Sequence, residues 1–112
     1  MKKQYRLQKN WEFNDLIQKN KQFSNNYLVS YFERSESLKV GITIPKKFAN
    51  AVWRNYYKRQ LRAILHELNI YEFKFHFVFI IRKDFLKAEY AIKKQSIQKM
   101  LEKFKNESKK IK

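Results

Sequence analysis

From position 73 to 82 the chain keeps a strict two-residue alternation. Phe73, Phe75, Phe77, Phe79 and Ile81 take one set of positions, and Lys74, His76, Val78, Ile80 and Arg82 take the other. Successive side chains of a strand point to opposite faces, so the run is predicted to be a β-strand with a continuous aromatic face. Such a face could stack unpaired nucleobases. Burial under helices is the simpler reading, because rings of this size drive core formation.

The remaining pattern supplies those helices and two more strands. Asn10 is a candidate N-cap, with Phe13, Leu16 and Ile17 at helical spacing behind it, so a first helix is expected to end near Asn20. Tyr27, Val29 and Tyr31 alternate with Leu28, Ser30 and Phe32, a strand that places Tyr27 and Tyr31 on one face. A turn at Arg34, Ser35, Glu36 and Ser37 leads to a second strand. There Val40, Ile42 and Ile44 alternate with Lys39, Gly41 and Thr43, and Pro45 limits its pairing. No Gly or Pro interrupts 49–68, the main helix, and Ile97, Met100, Leu101 and Phe104 mark a last amphipathic helix. The order α-β-β-α-β-α predicts one α+β sandwich domain over 1–112, with 105–112 a basic, flexible tail.

Charge decides the class of partner. Lys and Arg number 26 against 10 Asp and Glu, a net charge of +16. A small domain with that charge repels itself unless a polyanion is its usual neighbour, and nucleic acid is the foremost candidate. The chain has no cysteine, which argues against a disulfide scaffold or a zinc ribbon. No apolar run follows the basic start, and the longest one, 77–81, is far short of a bilayer span, so the cytoplasm is expected and a membrane is not. Lysine abundance partly reflects a composition rich in Lys, Asn, Ile, Tyr and Phe, so arginine placement is the more informative signal.

Three of the six arginines fall between positions 54 and 62. At about 100° per residue, Ala51, Arg54, Asn55, Lys58, Arg59 and Arg62 share one arc of the main helix. Val52, Tyr56, Tyr57, Leu61, Ala63, Ile64, Leu65 and Leu68 form the arc expected to pack. Lys46 and Lys47 extend the cationic arc toward the helix start. A solvated face normally mixes signs, yet no acid occurs from position 45 to 66. Guanidinium forks on such an arc suit phosphate oxygens.

Lys46, Lys47, Asn50, Ala51, Val52, Arg54, Asn55, Lys58, Arg59 and Arg62 match the pattern KK…(N/K)AV-x-RN-x-x-KR-x-x-R, so this stretch resembles the signature helix of the bacterial ribonuclease P protein family. Arg6, Leu7, Gln8, Lys9, Asn10 and Phe13 are similar to the family's N-terminal segment, Lys39, Val40 and Gly41 to one strand, and Ile80, Ile81 and Arg82 to another. The resemblance covers about 3–104. Tyr56 stands where a basic residue is usual, and Ile17 where an aromatic is frequent.

The resemblance implies a fold like the second domain of ribosomal protein S5, with a left-handed strand-helix-strand crossover, although such connections are otherwise right-handed. It implies a protein subunit, monomeric in its complex, that binds a catalytic RNA through Lys46, Lys47, Asn50, Arg54, Asn55, Lys58, Arg59 and Arg62. A cleft of Phe13, Ile17, Tyr31, Lys39 and Arg82 would hold the 5′ leader of precursor tRNA. Hydrolysis would belong to the RNA and its Mg²⁺, with no cofactor or catalytic group in the protein. A ribosomal or RNA-assembly protein of similar fold is the alternative. His66 and His76 lack spaced partners for acid–base work, and the acids are scattered. Lys93, Lys94, Lys99, Lys103, Lys105, Lys109, Lys110 and Lys112 could suggest a membrane-surface helix, but its narrow apolar stripe is better suited to closing the domain.

Overall fold

The computed structural model describes residues 3–7 and 9–110. Helix α1 spans Asn10–Lys19, α2 Ala51–Glu67 and α3 Tyr90–Lys110; strands β1 to β4 span Gln22–Ser24, Leu28–Arg34, Lys39–Thr43 and Phe75–Ile81. The architecture is mixed α+β, with one four-stranded sheet in the order β1-β2-β4-β3. β2 runs antiparallel to both β1 and β4, and β3 runs parallel to β4. Parallel neighbours need a crossover, and α2 provides it.

The phenylalanine stripe is core. Phe77, Phe79 and Ile81 are buried with Leu28, Val40 and Ile42 beneath Leu61, Ile64 and Leu65 of α2 and Ile97, Met100, Leu101 and Phe104 of α3. The second face of β4 is covered as well. Val78 is buried with Leu7 and Leu16 of the N-terminal segment and α1, and Phe13, Ile17, Tyr31 and Ile80 pack around them. A central strand covered on both faces explains why apolar residues occupy both of its registers.

Several expectations are corrected. β1 was not foreseen, because three residues are too few to show a period. β2 and β3 do not pair with each other, since β4 inserts between them. Asn10 is the first residue of α1, not its cap; Lys9 holds that position without a side-chain bond. The helix ends as expected, at Asn20 in the left-handed region (φ 56°), a conformation asparagine tolerates. Tyr27 does not share a face with Tyr31. The Asn25 carboxamide oxygen accepts the N–H groups of Tyr27 and Leu28 at 2.8 Å, a turn that breaks the alternation before β2. Tyr27 consequently packs on the α2–α3 side.

The tail expected from 105 is helical to Lys110, and the remaining residues of that expectation, 111 and 112, lie outside the described ones, as does Gln8. Lys93 is no surface lysine: it is 2% exposed, its Nζ donates to Gln60 Oε1, and it sits 4.1 Å from the Phe85 ring centroid. Burial pushes the pKa of its ammonium down. Among the described residues no helix is long and apolar enough to cross a membrane.

Candidate nucleic-acid interface

α2 is a helix because nothing in it breaks one and Asn50 starts it. The Asn50 side-chain oxygen accepts the Trp53 N–H at 3.0 Å, a cap that contributes about 1 kcal/mol. The carbonyl end of a residue expected to contact RNA is therefore engaged within the helix. Arg59 and Asn55 are exposed, while Arg54, Lys58 and Arg62 are half-buried along one edge of the packed seam. Arg54 Nη1 donates to the Ala49 carbonyl at 2.9 Å, which orients its guanidinium.

These cations feel one another. Burial first, then the guanidiniums of Arg62 and Arg54, hold the Lys58 ammonium below the ordinary lysine pKa. Arg62 is lowered by burial and then by Arg6. Arg6 arrives there because the N-terminal segment lies along the free edge of β3: Arg6 bridges to Val40, and the Leu7 N–H donates to the Val40 carbonyl at 3.0 Å. Arg6 was absent from the residues expected to bind RNA, although its place beside Leu7 in the N-terminal pattern could have flagged it.

Ion pairs join Lys19 to Asp15 and Glu33, Lys94 to Glu67, and Lys105 to Glu72. None of these pairs involves Arg54, Lys58, Arg59 or Arg62. Like charges packed side by side are relieved by an arriving polyanion. Lys46 and Lys47 are exposed on the short turn before α2, with Lys47 Nζ 5.5 Å from the Phe48 ring centroid.

Phe13, Ile17 and Tyr31 do converge, on the opposite face of the sheet, and each is half-buried. Gly41 makes this possible. A Cβ built there would lie 2.5 Å from two Phe13 ring carbons, so only glycine lets α1 come down this far on the sheet. Lys39 lies on the same face, in register with His76. Arg82 is directed elsewhere: its Nη1 donates to the Asn25 carbonyl at 2.9 Å, pinning the turn between β1 and β2.

The histidines are held by neighbours, His66 by the Tyr71 hydroxyl at 2.9 Å and His76 by Ser35 Oγ at 3.0 Å. Among the described residues no three His, Asp or Glu side chains converge as metal ligands.

The sequence profile of the family described as Ribonuclease P matches residues 1–105. The chain belongs to the ribonuclease P protein family. Its relatives include the ribonuclease P protein component of Mycoplasmopsis synoviae, 51% identical across the full length of both chains. That of Mycoplasmopsis pulmonis is 46% identical over 98% of this chain and all of its own. Among solved structures, the Staphylococcus aureus RNase P protein matches with a TM-score of 0.78 at 25% identity, over 88% of this chain and 93% of that one. Membership in the ribonuclease P family gives the row on α2 its context, because Arg54, Lys58 and Arg62 of that row are among the signature residues.

Proposed function

We propose that this chain is the protein subunit of a ribonuclease P, a cytoplasmic complex in which it binds the catalytic RNA and the 5′ leader of precursor tRNA as a single copy. The observation that carries the reading is the row Arg54, Lys58 and Arg62 along one edge of α2, close enough for the two guanidiniums to depress the Lys58 pKa, with Arg6 packed beside Arg62. Three cations one turn apart follow the helix axis and can straddle a folded phosphate backbone. The half-buried rings of Phe13 and Tyr31, with Lys39 on the same face, offer a second and weaker surface. A single-stranded leader of any sequence can lie against such rings, since base–aromatic contact is tolerant of sequence. Hydrolysis is assigned to the RNA and its Mg²⁺.

The test is reconstitution. Added to its cognate ribonuclease P RNA at low Mg²⁺, the purified chain should stimulate removal of the leader from precursor tRNA, and alone it should cut nothing. No stimulation, together with co-purification on ribosomal subunits, would instead support an RNA-assembly role.

A further inference from the structure

The arc of α2 expected to pack is buried only in part. Leu61, Ile64 and Leu65 are buried, but Val52 and Tyr56 of that arc are 76% and 43% exposed, and so is Trp53, outside it, at 52%. These side chains form a built ledge. The Trp53 and Tyr56 rings stand edge to face, with centroids 5.6 Å apart at 81°, and both contact Tyr57, at 6.1 and 5.2 Å. Tyr57 is the footing: its hydroxyl donates to the Leu86 carbonyl at 3.4 Å and its ring meets Phe85 edge-on. A fixed footing leaves the outer rings with little rotational freedom to lose on binding.

Exposed aromatic patches on a folded domain mark a partner, and charge identifies its chemistry. The ledge and the row Arg54, Lys58 and Arg62 flank the packed seam of the same helix, with Arg59 exposed between them. No acid occurs from position 45 to 66. An acidic partner that also carries flat apolar groups is RNA. We infer that α2 holds RNA along both edges, with phosphates on the cation row and an unpaired base of the catalytic RNA stacked on Trp53 and Tyr56. Tyr56 then exchanges the charge usual at its position for a stacking contact. The inference rests on the proposed RNA-binding role and specifies how it is carried out.

Trp11 and Trp53 are the two tryptophans, so a W11F chain reports on Trp53 alone. On titration with ribonuclease P RNA its emission should be quenched. W53A should bind about 5- to 150-fold more weakly, the range for one stacked base, whereas W53F should retain most of the affinity. Because no charge is removed, the slope of log affinity against log salt should not change in W53A. Y56R should steepen that slope by about 0.7–0.9. Unchanged Trp53 emission on a bound complex would overturn the inference. So would quenching with W53A still at wild-type affinity, since the ring is then a bystander. Failure of the W11F chain and the wild type alike to bind this RNA would overturn the proposed function itself.

Discussion

The two halves of α2 have similar apolar content and opposite fates. In the C-terminal half Leu61, Ile64 and Leu65 are fully buried; in the N-terminal half Val52, Trp53 and Tyr56 face solvent beside cations. Helical periodicity shows which residues could pack, but the reach of the neighbouring elements decides which do. Beyond Leu61 the place of further apolar cover is taken by the buried Lys93 and its partner Gln60. One half of the helix belongs to the core and the other is left for a partner.

Mutation can break or sharpen that contrast. The largest effect is expected from Leu61→Ala, which should lower the unfolding free energy by about 2–5 kcal/mol, whereas Val52→Ala should stay within about 0.5 kcal/mol; denaturant titration reads both. Equal losses would erase the distinction between the halves. Arg62→Ala should leave stability nearly unchanged but weaken RNA binding at low salt by about 1.5 kcal/mol or more, and Arg6→Ala should act in the same direction. Asn50→Ala removes the cap and should cost about 1 kcal/mol of stability. Its RNA affinity should keep the wild-type salt slope, unlike that of a phosphate contact.

The smallest effect lies on the α1 side of the sheet. Burial, and then Lys39, lower the His76 pKa against the weaker opposing pull of Glu33 and Glu12, with Lys19 adding a further lowering. The unfolded chain therefore takes up a proton that the folded chain resists. Stability should be full above the ordinary histidine pKa and decline as pH falls through the window below it. Melting temperatures of wild type and His76→Gln on either side of that window should diverge, and parallel curves would assign the decline to other groups.

Strongly periodic elements were legible in the sequence. The alternation at 73–81 placed β4, and the spacing of Ile97, Met100, Leu101 and Phe104 placed the buried face of α3. Features that depend on a neighbour were not. β1 exists only because β2 offers it an edge, and the intervention of β4 between β2 and β3 is a long-range outcome that no local pattern encodes. At the candidate interface, the signature spacing put Arg54, Lys58 and Arg62 on one side of α2. Arg6 joins the row through the docking of a distant segment, and Asn50 fills a capping role that its place in the motif hid. Phe13, Ile17 and Tyr31 came together as the resemblance implied, while Arg82 was drawn to a backbone carbonyl by the turn at Asn25.

The central claim is that Arg54, Lys58 and Arg62 bind phosphate as a unit. Its most direct test is the salt dependence of RNA affinity for the wild type and for the triple alanine variant. Loss of three phosphate contacts should flatten the log–log slope by about 2–3, with the variant still folded. A folded variant that binds more weakly yet keeps the wild-type slope would contradict the claim.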